Sequence, residues 1–247
     1  MQSKLIFLSA MLVSLQCFSQ IKVGEQKIDM FLIPSGASVS DGKTVSIQSF
    51  YISNEISNKQ YRAFTDYAIQ HPDSSLSYYD IAGRTHYFKY TVIIRDLIDS
   101  SVMEKAAGIR FKNYFTNLAF DNYPVVGVSF NNAEWYCAWL NREEKKSGNN
   151  SSELFRLPFK DEWIYASKYT AFENANPSIY QTVTVGDKNE FGLNHFQDNP
   201  QEYCRSIFGN VYILGGEKQI EQAKTIDAGY QKSAFVGFRI AMTSLNK

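Results

Sequence analysis

Neither sign of charge is in excess in this chain, and that balance excludes more than any single motif does. Lys and Arg together number 25, as do Asp and Glu, so the formal net charge is zero. A nucleic acid or an anionic membrane surface rewards a basic excess through counterion release, and there is none to reward. Cysteine is scarce, at 3 in 247 residues, with no C-x-x-C pair. Without a set at zinc-ligand spacing, a structural zinc centre is excluded. His71, His86 and His195 are scattered, with no i, i+4 pair of the kind a helical metal site uses. A Gly-x-Ser-x-Gly elbow is missing, which removes that serine-nucleophile arrangement. Gly215-Gly216 is followed by acidic Glu217, the wrong charge for a phosphate cradle. Gly-Ser linkers, heptads and internal repeats are also missing, and 247 residues fit one sizeable domain.

Long apolar runs are equally rare. The clearest one covers residues 5–15, behind Lys4. It is too short to cross a bilayer as a permanent anchor, so no transmembrane anchor is expected. A charged start, an apolar stretch and small Ser19 ahead of Gln20 read as a signal peptide over residues 1–19. Lipidation at Cys17 competes with cleavage after Ser19. It is the less favoured course, because bulky Gln16 stands where a lipobox needs a small residue. On either course the protein is expected to be exported, to the periplasm or the outer membrane.

What the chain has in quantity is apolar and aromatic matter. Hydrophobic residues make up 44% and aromatic ones 15%, with 16 Tyr and 18 Phe, enough for a substantial core. Residues 30–34 and 44–52 read as strands around a turn region at Gly36 and Gly42. Ser57 is placed to cap a helix over 58–70, with Tyr61, Phe64 and Ala68 on one face, and His71-Pro72 ends it. A helix is expected around 92–107. Another opens at Asn131, with Ala133, Tyr136, Cys137 and Leu140 facing inward. A further helix after Pro158 carries Trp163, Ala166 and Ser167, and a strand over 235–242 closes the chain. Periodicity alone gives an α+β fold with much irregular structure.

Five segments in order are more specific: residues 30–36, 49–64, 123–141, 155–167 and 236–240. They carry Pro34-Ser35-Gly36, Asn54-Glu55-Ile56-Ser57-Asn58, Pro124-Val125-Val126-Gly127-Val128-Ser129, Arg156-Leu157-Pro158 with Glu162-Trp163, and Gly237-Phe238-Arg239. Together they resemble the sulfatase-modifying-factor family of formylglycine-generating enzymes. The resemblance implies a single domain over 20–247 in the C-type-lectin-like fold of that family. Its core would cover about 28–243, and a variable insertion about 71–122.

The catalytic end of the family does not match. Active members oxidise a substrate cysteine with copper held by two cysteines between a Gly-Gly-Ser segment and the final Gly-Phe-Arg. From Gly215 to Phe235 this chain has no Cys, His or Met. Thiolates suit Cu(I), and nothing there replaces them. No catalytic residue and no cofactor are therefore expected. The family's calcium segment corresponds to residues 192–203, where Asn199 and Glu202 remain but His195 replaces an oxygen donor. Calcium prefers oxygen ligands, so its loss is favoured over retention near Glu202, whose expected role is capping backbone amides. Arg156 and Glu162 are expected to form a buried framework pair, and Cys137 and Cys204 to remain free, buried thiols rather than a disulfide.

The favoured functional reading is a non-catalytic, exported binding or structural protein with a protein partner in the cell envelope. Similar members accompany type IX secretion and gliding motility. Two alternatives stay open: a metal-dependent oxidoreductase with a relocated site, such as iron at His86 or His195, and a carbohydrate- or peptide-binding lectin-like module. Partner contacts are expected from Tyr78, Tyr79, Tyr87, Phe88 and Tyr90 in the insertion, because aromatic side chains dominate interface hot spots. Cleavage after Ser19 predicts a mature chain that begins at Gln20. Intact-mass measurement on protein from its native host checks this, and diacylglycerol on Cys17 or an uncleaved N-terminus would contradict it.

Overall fold

The computed structural model describes residues 18–23, 26–40, 42–79, 85–90, 96–146, 153–167, 180–196, 199–206, 210–215, 224–226 and 232–244. Strands β1 (Phe18–Val23), β2 (Gln26–Ile33), β3 (Gly36–Ser40), β4 (Lys43–Ile47) and β5 (Phe50–Glu55) precede helix α1 (Asn58–Gln70). A hairpin of β6 (Ser75–Tyr79) and β7 (Thr85–Lys89) leads through helix α2 (Val102–Ala107) to the long helix α3 (Phe130–Lys146). Then come β8 (Glu153–Arg156), helix α4 (Lys160–Ser167), β9 (Gln201–Arg205), β10 (Val211–Leu214), β11 (Lys224–Ile226), β12 (Val236–Gly237) and β13 (Arg239–Ser244).

The central layer is an antiparallel sheet in the order β1-β2-β5-β13-β8. Alternation along its strands serves two cores, because successive side chains point to opposite faces. Ile28 and Met30 of β2, with Ile240 and Met242 of β13, face α1 and α3 in the larger cluster. Phe31 and Ile33, Phe50 and Ile52, and Ala241 face the other way, against Trp163 and Ala166 of α4 and Cys204 of β9. A sheet buried on both faces loses the clean apolar–polar alternation of a solvent-facing strand. The second sheet runs β11-β10-β9-β12 and is parallel only between β9 and β12.

Local chemistry accounts for the helix ends. The Ser57 hydroxyl accepts from Gln60 N at 3.3 Å while Gln60 Oε1 accepts from Ser57 N at 2.9 Å, a reciprocal capping box. α1 ends at His71, ahead of Pro72, and buries Tyr61, Phe64 and Ala68 as the spacing requires. Ser129 and Asn132 repeat the device for α3, with Asn132 N donating to Ser129 Oγ at 3.3 Å and Ser129 N to Asn132 Oδ1 at 2.8 Å. The helix therefore starts at Phe130, one residue ahead of the sequence reading.

Three expectations are corrected. Residues 26–55 form four strands rather than two, since β3 and β4 make their own hairpin around Gly42, which has φ +72°. The closing strand is two strands in different sheets, parted at Phe238. Of the helix expected over 92–107, residues 92–95 lie outside the described set and α2 covers only the end. The insertion also does more than stand apart. Its Leu76, Tyr90, Leu97 and Phe115 pack into the larger cluster with α1 and α3, while Met103, Phe111 and Tyr114, with Val102, Ala107 and Phe120 against them, belong to a separate small core. Tyr61 Oη ties α1 to the insertion by donating to Leu97 O at 2.9 Å.

Ser57→Ala removes the hydroxyl half of the capping box. It should cost about 1 kcal/mol, the usual value of an N-cap side chain. The measurement is a urea midpoint shift at unchanged slope.

Candidate functional site

Two places concentrate chemistry among the described residues. One is a fully buried polar centre where β5, α4, β9, β13, residues 194–196 and Asn199 meet. Arg239 is 0% exposed and Glu202 1%. Their contact is bidentate, with Nε to Oε2 at 2.5 Å and Nη2 to Oε1 at 2.6 Å. Nη1 donates to Ser53 O at 3.2 Å, and Nη2 also reaches Asn194 O at 3.2 Å and His195 O at 3.4 Å. Trp163 Nε1 donates to Glu202 Oε2 at 2.6 Å, and the guanidinium lies 3.9 Å from the Phe196 ring centre. Glu202 thus pairs with a cation and an indole instead of capping backbone amides, which corrects the expected role. A carboxylate already shared by a guanidinium and an indole does not fit a calcium site, because a second cation there would meet the arginine's charge.

Glu55 adjoins this centre. Its Oε2 accepts from Asn199 Nδ2 at 2.8 Å, while Oε1 is buried without a partner. Burial, and then the charge of Glu202, push its carboxyl up to about 8, so it is a neutral acid at pH 7. His195 is buried in the left-handed region, φ +59°. Its Nε2 lies 3.1 Å from Thr182 O and its ring packs against Gly186, where a Cβ would fall 2.7 Å from a ring carbon. Only glycine leaves room for that ring.

His71 is far from any such setting. It is exposed at the end of α1 and stacks on Tyr67 at 4.1 Å. The side chain of His86 lies outside the described residues. Among the described residues, no three His, Cys, Asp or Glu side chains form a group able to hold a metal.

Cys137 and Cys204 are both free and buried, one in each major cluster. Burial pushes both thiols up, away from the thiolate that copper needs. Arg156 and Glu162 form the expected framework pair, two contacts at 2.7 Å, and Glu162 Oε2 also accepts from Phe159 N at 2.9 Å.

Of the aromatic partner residues, Tyr87 is 73% exposed. Tyr90 is not available. It is 0% exposed, within the larger cluster between Phe64 and Tyr67. Its expected surface role is corrected accordingly, since the ring closes a core. The side chains of Tyr78, Tyr79 and Phe88 lie outside the described residues.

The second place is a groove of about 510 Å³ along α3, β8 and β9. Glu134, Ala138 and Arg142 line it from one face of α3, at helical i, i+4 spacing, with Phe155, Phe159 and Arg205 opposite. Its size falls within the range of small-molecule sites. Arg205 Nη1 meets the Glu134 carboxylate at 3.2 Å and 3.3 Å. The Phe159 ring sits 4.3 Å from the Arg156 guanidinium and 5.9 Å from that of Arg205. The sequence reading missed this groove because its walls come from three separate elements. The signal that could have found it is the cationic run Arg142, Lys145 and Lys146 on a helix whose other face is apolar.

Comparison with known proteins settles the family. A model of the sulfatase-modifying factor enzyme 1-like domain matches residues 18–244. The chain belongs to that family. No curated protein matches the sequence. Among solved structures, a crystal structure of CarF superposes with a TM-score of 0.52 at 14% identity, over 89% of this chain and 99% of that one. That likeness bears on fold alone, and it agrees with the mixed α/β, C-type-lectin-like architecture of this sulfatase-modifying factor enzyme 1-like domain. No described helix is long and apolar enough to cross a membrane.

Glu55 gives the domain a pH signature. Its folded value of about 8 exceeds its ordinary 4.5, so the folded state holds the proton more tightly than the unfolded state does. The associated stability is complete below about 4.5 and is lost as pH rises through about 8. Unfolding free energy should therefore decline across that window, and Glu55→Gln should flatten the decline. Chemical denaturation at a series of pH values checks the slope.

Proposed function

We propose that this family member is a non-catalytic binding protein of the bacterial cell envelope and does not make formylglycine. The observation that carries the reading is the donor set. The stretch from Gly215 to Phe235 has no Cys, His or Met, and Cys137 and Cys204 are buried thiols in separate clusters. A copper oxidase of this family works through paired thiolates that bind Cu(I) and position the substrate thiol. Nothing comparable is available to these residues.

What the domain retains is a scaffold with surfaces. The signal-like N-terminus supports export, to the periplasm or the outer-membrane region, and the balanced charge suits a protein partner better than a nucleic acid. Association with type IX secretion or gliding machinery is the setting we favour, on the resemblance to such envelope members. Binding there needs no turnover. Tyr87 offers an exposed aromatic contact on β7, and the groove beside α3 offers a concave one.

Incubation of purified protein with Cu(I) and a Cys-x-Pro-x-Arg peptide tests the proposal. The expected result is no stoichiometric copper and no loss of the cysteine by mass spectrometry. Aldehyde product above the free-metal background would overturn it. Recovery of a specific partner from envelope extracts is the positive counterpart.

A further inference from the structure

We infer that the groove beside α3 binds a small organic carboxylate with an apolar body, a ligand class that deepens the binding-protein reading above and rests on it. The floor is apolar, with Ala138, Leu154, Phe155 and Phe159 lining the cavity of about 510 Å³. Its charged lining is strongly one-sided. Arg142, Lys145, Lys146, Arg156 and Arg205 face a single lining carboxylate, Glu134.

Most of these cations already have acidic partners. Glu134 meets Arg205 at 3.2 Å, Glu162 meets Arg156 at 2.7 Å and Glu143 meets Lys146 at 2.7 Å. Arg142 has no carboxylate partner among the described residues. It reaches Ser75 O and Tyr90 Oη at 3.4 Å each and lies over the Tyr67 and Tyr90 rings. Lys145 is exposed and has no acidic partner among the described residues. Arg205, 9% exposed, keeps a buried Nε–H with no acceptor. A buried donor without a partner is costly, and an anion supplies the acceptor it lacks.

The ligand is a small molecule and not an added strand. Asn141 uses both ends of its amide on Phe155, accepting from N at 2.8 Å and donating to O at 2.8 Å. Those are the outward backbone groups at Phe155, in the middle of the four-residue edge strand β8, so an added peptide strand cannot pair there. Recognition falls to side chains. An anion of one unit charge matches the surplus at Arg142 better than a phosphate, which wants several convergent donors.

Octanoate is the probe, titrated calorimetrically into the full mature protein, with 1-octanol and inorganic phosphate as comparison arms. The expected result is 1:1 octanoate binding, with both comparison compounds at least about tenfold weaker, the worth of one charge-assisted contact. Arg142→Ala should weaken octanoate binding about tenfold, while Glu134→Gln, which frees Arg205, should tighten it. Ala138→Trp should fill the groove and abolish binding. Lys145→Glu, at an exposed position, should weaken it and keeps the test decisive if the tryptophan variant does not fold. Several results would overturn the inference: no octanoate binding at millimolar concentration, octanol or phosphate binding as well as octanoate, or indifference to Arg142→Ala and Lys145→Glu. The copper and peptide assay is independent of this titration, so the ligand class and the non-catalytic reading fail separately.

Discussion

A guanidinium with no exposed surface holds this fold together. Arg239 stands at the start of β13 in the central sheet, and Glu202 stands on β9 in the second sheet. Their contact bridges the two layers, and the arginine's other hydrogens fix Ser53 of β5 and the backbone at Asn194 and His195. Removing one member of a fully buried pair costs about 3–5 kcal/mol, because the other is left charged and dry. That penalty forces the surrounding loops into register. Asn194 and His195 lie outside regular structure, yet both of their carbonyls face one cation. The backbone at Asn194 and His195 is thus held by a cation instead of a hydrogen-bonded ladder.

The same centre shows how the family scaffold is held by residues with no part in oxidation chemistry. Glu55, Trp163 and Arg239, from three of the sequence segments, meet or neighbour Glu202 in the interior. In this fold they serve the joint between the two sheets. A chain can lose metal ligands at the surface and keep this joint intact. Family membership and activity therefore rest on different residues, and the second does not follow from the first.

The legible parts of the sequence were those governed by local chemistry. Ser57 with Gln60, and Ser129 with Asn132, announce helix starts because a cap is decided within four residues. The inward faces of α1 and α3 were equally plain from spacing. Strand boundaries were harder. β2 and β5 are buried on both faces, so their apolar runs carry no period to mark where β3 and β4 intervene. Tyr90 misled because an aromatic residue in a polar, variable stretch reads the same whether it caps a core or meets a partner. The groove was illegible for a different reason. Its charge surplus appears only after each cation is matched to its carboxylate, and Glu134 and Arg205 are 71 residues apart in sequence.

The chain changes sheets within a single residue. Val236 and Gly237 pair with β9 in one layer, and Arg239 onward pairs with β5 and β8 in the other, with Phe238 between them inside the larger core. There is no slack at this crossing to let one layer open while the other stays closed. Exchange of backbone amides with solvent in β9 and in β13 thus belongs to one cooperative opening, not two. The β6–β7 hairpin pairs with no other strand among the described residues and is tied to the larger core by side-chain packing at Leu76 instead.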